Sequence, residues 1–281
     1  MNTSLKLNNF GPIQELTLTL KPITILTGES MSGKSLLAKL IALLQSEATT
    51  QATTLSLEHY DLSSFIEDKK TNVVYESDDK QVSLKWGDSM IQRPPLFYEG
   101  DPKNSKNRRT VYIPIERSFV AMTSDASLKL LNSGMPIPSL LLDFAMLFND
   151  AKNTIGELAL DGFNGRFKRE LGDDFVYFGE EQKNTLLNSA SSHQQLFPIF
   201  LVIHYLIKTS SEPLTVVIEE PVAGFSINLK KLIWTYLLNI RKQHPTIEMV
   251  FTLQNKASVS LFQKVVKELT FPDDETAVVH L

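Results

Sequence analysis

Ile23-Thr24-Ile25-Leu26-Thr27-Gly28-Glu29-Ser30-Met31-Ser32-Gly33-Lys34-Ser35-Leu36-Leu37-Ala38-Lys39-Leu40-Ile41-Ala42-Leu43-Leu44 decides how this chain folds. Ile23 to Leu26 reads as a short strand, and Leu36, Leu37, Leu40, Ile41 and Leu44 recur at the spacing of one helix face. Between them, Gly28 to Ser35 matches G-x-x-x-x-G-K-[ST] and stands where such a loop must, between a strand and a helix start. Glycines let the backbone turn so that successive N–H groups face phosphate oxygens, and the helix amino terminus adds the positive end of its dipole. On this pattern Lys34 is expected to bridge the β- and γ-phosphates of a nucleotide, and the Ser35 hydroxyl to ligate Mg²⁺. Gly28, Glu29, Ser30, Met31, Ser32, Gly33, Lys34, Ser35 and Leu36 are therefore the candidate nucleotide-binding residues. A glycine turn with Ser32 or Ser35 as an ordinary helix-start residue is the bland alternative. A chance match somewhere in a chain of this length has a probability of ~1 % before the strand and helix are required.

Working outward, Leu5 and Leu7 and then Leu16, Leu18 and Leu20 alternate around a Gly11-Pro12 turn, which predicts an antiparallel hairpin. Strand-like runs at 72–76 and 81–86, separated by Asp78-Asp79, predict an antiparallel edge or subdomain. A loop at 103–109 bearing Lys103, Lys106, Arg108 and Arg109 leads into the strand Val111-Tyr112-Ile113. Mostly helical sequence then runs to Leu171, and 118–171 is the natural inserted helical lobe. A hairpin-like pair follows at 175–178 and 185–187, then a long apolar helix over 191–209. Strands at 215–218, 248–252 and 276–280 alternate with helices at about 228–243 and 258–268. Buried strands alternating with helices imply right-handed crossovers onto a mostly parallel sheet, an α/β fold spanning 1–281 as one domain.

Composition narrows the chemistry. With 281 residues the chain can bury one large core, and a formal charge of −4 argues against a globally basic nucleic-acid binder. The absence of cysteine excludes disulfides, a thiolate nucleophile and a cysteine zinc site, so any metal takes oxygen ligands. The amino terminus does not read as a secretion signal, and the apolar run 196–207, interrupted by Pro198 and His204, is too short to span a bilayer. A cytoplasmic protein with no membrane partner is expected.

A second candidate site lies at Val216-Val217-Ile218-Glu219-Glu220-Pro221, an apolar strand delivering two carboxylates at its carboxyl end, where open α/β sheets bind ligands. Successive strand residues point to opposite sides, so the two acids take different roles. Glu219 is assigned to the metal and Glu220 to the attacking water. A solvated strand end is the commoner meaning of such a pair taken alone.

Together these segments resemble the ABC-type ATPases of the SMC and RecF kind, and more closely the small ATPases related to the OLD family of bacterial defence systems. Leu5 to Ile13 looks like that group's first hairpin, and Tyr112-Ile113-Pro114-Ile115-Glu116-Arg117-Ser118 is similar to its Y-I-P-x-E-R segment. Ala190-Ser191-Ser192-His193-Gln194-Gln195 looks like its signature segment, and Glu219-Glu220-Pro221 like its acidic strand end. The resemblance implies an ABC-like head with an antiparallel β-subdomain, which forms a homodimer around nucleotide. It further implies Mg²⁺-dependent hydrolysis of ATP sandwiched between one protomer's phosphate loop and Ser191 and Ser192 of the other. His193 stands where the group carries glycine, and Gln254 where it carries a histidine that senses the γ-phosphate. An amide can hydrogen-bond but cannot carry a proton, so slow turnover, or ATP acting as a dimerising ligand, follows from Gln254. Arg117 is either a phosphate or interface arginine or half of a structural ion pair. No nuclease motif accompanies the ATPase motifs, so a separate effector chain is the expected partner, by resemblance in anti-phage defence. The alternatives are an ATP-gated scaffold that barely turns over, and a DNA-repair head that binds duplex ends. The basic residues Lys103, Lys106, Arg108 and Arg109 read either as a nucleic-acid or partner patch or, as such runs more commonly do, as a solvated flexible loop.

Overall fold

The computed structural model describes residues 3–46, 54–65, 71–77, 81–85, 96–99, 108–123, 136–180 and 182–281. In chain order these form β1 (Thr3–Phe10), β2 (Ile13–Leu20), β3 (Ile23–Thr27), α1 (Lys34–Gln45), α2 (Thr54–His59), β4 (Asn72–Glu76), β5 (Gln81–Lys85), β6 (Leu96–Glu99) and β7 (Arg109–Ile113). Then follow α3 (Arg117–Thr123), α4 (Ser139–Ile155), β8 (Glu157–Ala159), β9 (Arg166–Glu170), β10 (Asp173–Phe178) and β11 (Gln182–Thr185). The remainder is α5 (Ser191–Thr209), β12 (Leu214–Glu219), α6 (Ile227–Gln243), β13 (Ile247–Leu253), α7 (Lys256–Glu268) and β14 (Thr276–His280). The chain divides into a first unit, Met1–Tyr112 with Glu212–Ala223 and Ile233–Leu281, and a second, Ile113–Ser211 with Gly224–Leu232.

The first unit contains the central sheet, in the order β14-β3-β13-β12-β7. β14, β3, β13 and β12 run parallel to one another. Every residue of β3 and β12 is buried, as expected when helices cover both faces and no solvent face selects for alternation. α1 packs on β3, β12 and β13, and Trp234 of α6 meets Phe251 and Phe262 edge-on at 5.1 and 5.2 Å between ring centroids. The predicted hairpin pairs Leu5 with Leu18 and Leu7 with Leu16, and β1 also pairs antiparallel with β4, opening a sheet of order β2-β1-β4-β5-β6. Its buried face carries Leu5, Leu7, Val73 and Tyr75, the period-2 signal visible in the sequence.

α7 begins at a side-chain cap, since Asn255 Oδ1 accepts the Ala257 N–H at 2.7 Å. Asn255→Ala is expected to lower the unfolding free energy by about 1 kcal/mol, seen as a shift of the urea midpoint at constant slope. An unchanged midpoint would deny the cap that role.

In the second unit α3 and α4 pack on α5, beside a four-stranded antiparallel sheet of order β11-β10-β9-β8. Asp174 receives Lys152 at 2.9 Å and Arg169 at 2.5 Å, so the fully buried Lys152 ammonium is compensated. Hydrogen bonds from Lys168, Tyr177 and Lys183 hold the Glu170 carboxyl down at about 2.

Two expectations are corrected here. The stretch 118–171 contains β8 and β9 as well as helices, because β9 alternates around the single buried apolar residue Phe167 and so carries little hydrophobic signal. The partner of the 173–178 strand is the polar segment Gln182–Thr185, with Phe175 opposite Thr185, whereas Leu186–Asn188 is a 3₁₀ turn. A polar strand is what a sheet edge tolerates. Lys103, Lys106, Asp78, Asp79 and Trp86 lie outside the described residues.

Candidate nucleotide-binding site

β3 delivers the phosphate loop. A Cβ on Gly28 would stand 2.5 Å from the Leu281 carbonyl oxygen and 2.8 Å from Ser32 Oγ, closer than any side-chain carbon tolerates. Gly33 turns the chain into α1 at φ 98°, and a Cβ there would press on Ile13 and Pro12 of the first hairpin's turn at 3.0 and 3.1 Å. Leu36, one residue into the helix from Ser35, lies against Gly11 of the same turn. Met31 takes a left-handed φ of 65° at the tip of the loop, and its side chain is 93 % exposed.

Glu29 and Ser30 are also exposed, and Ser32 donates its N–H to the Glu29 carbonyl at 3.3 Å, closing a turn. Lys34 reaches back over the loop, donating to the carbonyls of Gly28 at 2.9 Å and Glu29 at 2.5 Å. No side chain caps α1 at Gly33, which leaves first-turn N–H groups to an anion. A short glycine-bounded loop closed by an ammonium, at an uncapped helix start, has the chemistry a polyphosphate needs.

The acids stand on the same carboxyl edge of the central sheet. Strand register aligns Glu219 with Thr252 and Thr252 with Leu26, so Glu219 lies two strands from the residue preceding Thr27. At the usual strand spacing that is roughly 10 Å across the sheet. Glu219 is 6 % exposed and ends β12.

Glu220 does not continue the alternation expected of it, because its φ is 43°. A left-handed conformation costs a residue with a side chain about 1–3 kcal/mol, and the proline that follows restricts it further. Three backbone contacts hold it there. Its N–H donates to the Thr252 carbonyl at 3.2 Å and hydroxyl at 3.1 Å, and its carbonyl accepts the Ala223 N–H at 3.2 Å. Gln254, two residues beyond Thr252, donates from Nε2 to Ser30 Oγ and so touches the phosphate loop.

No group of three or more His, Asp or Glu among the described residues could hold a metal unaided. Ser35 is exposed at the start of α1 and Glu219 ends β12, and both offer the oxygen donors that Mg²⁺ takes, an ion that keeps few protein ligands and draws the rest from phosphates and water.

Ser191 and Ser192 open α5 in the second unit, and no side chain caps that helix at Ala190. His193 is turned into its own unit, with Nε2 2.5 Å from the Asn164 carbonyl and the ring beside Phe178 and Phe197 at centroid distances of 5.3 and 5.7 Å. Arg117 is 1 % exposed and donates to the Pro114 carbonyl at 3.4 Å, and Arg108 pairs inward with Glu248 at 3.0 Å. Arg108 is thus an internal cation and not part of a solvated patch. Thr252 and the Pro12-Ile13 brace escaped sequence reasoning. A threonine inside an apolar run was the available signal for the first, and the Gly11-Pro12 turn for the second.

No protein-family model and no curated protein matches this chain. Solved structures do. The SMC head domain from Thermotoga maritima superposes with a TM-score of 0.52 at 12 % identity, over 94 % of this chain and 91 % of that one. An SMC head bound to the C-terminal winged-helix domain of ScpA gives 0.51 at 11 %, over 92 % and 91 %. The recombination mediator protein RecF with ATP gives 0.48 at 12 %, over 92 % and 94 %. With the parallel sheet, the loop between β3 and α1 and the acidic end of β12 in place, the chain has the ABC-type ATPase fold of the SMC head domains.

Proposed function

We propose that this chain binds ATP with Mg²⁺ through Gly28 to Leu36, dimerises around the nucleotide and hydrolyses it to ADP and phosphate in the cytoplasm. The observation that carries this is the shared carboxyl edge, where the Lys34-closed loop after β3 and the Glu219-Glu220 pair at the end of β12 stand on parallel strands separated by β13 alone. Lys34 and the loop amides would hold the phosphates, and Ser35 and Glu219 the ion, which supplies charge neutralisation between the phosphates. Glu220 would polarise the attacking water and Gln254 would report on the γ-phosphate from beside Ser30. Ser191 and Ser192 would complete the site of the other protomer from the start of α5.

The motif resemblance supports a separate effector chain as the partner, in bacterial anti-phage defence. Gln254 favours a second reading, an ATP-gated scaffold that turns over little, because an amide cannot relay a proton.

Light scattering with and without MgATP tests the central claim. The mass is expected to double with MgATP and to fall back as phosphate is released. Persistence of the monomer at saturating MgATP would sink the dimer, and a stable dimer without phosphate release would favour the scaffold.

A further inference from the structure

Glu220 reaches its place through a backbone bond that no catalytic motif specifies. Thr252 is 1 % exposed inside β13, aligned between Glu219 on one side and Leu26 on the other. Its hydroxyl oxygen accepts the Glu220 N–H at 3.1 Å, alongside its own carbonyl at 3.2 Å. Glu220 needs that hold, because it bears a side chain at φ 43° immediately before Pro221. Were the strand simply continued, Glu220 would leave the sheet on the face opposite Glu219. The left-handed turn breaks that alternation, so the direction of the carboxylate is set where the N–H is held.

We propose that Thr252 is a positioning residue, whose hydroxyl fixes the backbone of Glu220 and thereby the carboxylate that polarises water. This rests on the role given to Glu220 above. The same strand end carries Gln254 onto Ser30, so the segment from Thr252 to Gln254 ties the acid and the phosphate loop to one element.

Two substitutions separate positioning from packing. Thr252→Val keeps the volume and loses the acceptor, whereas Thr252→Ser keeps the acceptor and loses a methyl. If Thr252 only fills space, Val is the milder change. If it positions Glu220, Ser is the milder change. Steady-state ATP hydrolysis should show kcat reduced ~10- to 100-fold in Thr252→Val with KM within ~2-fold, the pattern of a displaced group that does not bind the ground state. Thr252→Ser should keep most of the wild-type kcat. Amide hydrogen exchange at Glu220, read by NMR, should be faster in the Val variant than in the wild type or the Ser variant.

Equal kcat in Val and wild type, or a Ser variant as slow as Val, would overturn the assignment. If Glu220→Gln hydrolyses ATP as fast as wild type, the role of Glu220 itself is wrong. Exchange then decides the restraint alone: faster exchange in Val upholds it, and unchanged exchange removes it.

Discussion

Replacing Lys34 by alanine is expected to weaken MgATP binding by about three orders of magnitude. Hydrogen bonds from a charged donor contribute about 1.5–3 kcal/mol each, and two such bonds to phosphate oxygens amount to a factor between about 10² and 10⁴. Calorimetric titration of both proteins with MgATP measures it directly. The ammonium also bridges the Gly28 and Glu29 carbonyls, so some of the loss belongs to the loop rather than to the ligand. Thermal melting without nucleotide separates the two contributions, because only the loop's share appears there. Equal heats of titration in variant and wild type would remove nucleotide from the site and the proposed function with it.

Glu220→Gln should leave nucleotide binding intact while kcat falls by about 10²–10⁴, the range of a positioned general base. The amide keeps the size and most hydrogen bonds of the acid but cannot take a proton. The backbone bonds to Thr252 and Ala223 involve only main-chain atoms of Glu220, so they survive the change. Trapped in the bound state, the variant should also dimerise more persistently with MgATP than wild type. Turnover at the wild-type rate would transfer the role to another residue.

Much of this was legible in the sequence because its strongest signals are local. The loop between β3 and α1, the all-buried β12 and the limits of α5 and β14 follow from periodicity and one motif. What escaped depends on pairing across the chain. β9 holds one buried apolar residue, so nothing in its own five positions marks a strand until β8 and β10 flank it. Lys183 lies over Phe175 at 4.1 Å and Arg166 over Tyr177 at 5.3 Å, an alternation of cations and rings built between strands and absent from any one segment. Glu220 was expected to follow strand alternation, and its left-handed turn depends on Thr252, thirty-two residues away. In each case the deciding neighbour is distant in sequence, and a residue's own type carries no record of it.

The first hairpin bears on more than the sheet it begins. Pro12 and Ile13 abut Gly33, Gly11 abuts Leu36 and Phe65, and the Thr71 hydroxyl donates to the Asn9 carbonyl at 2.7 Å. Buttressed from that side, the base of the loop at Gly33 would have little freedom left to lose on binding a ligand. On the proposed function, association with a triphosphate would resemble a key meeting a finished lock, governed by encounter and charge and not by a search through backbone shapes.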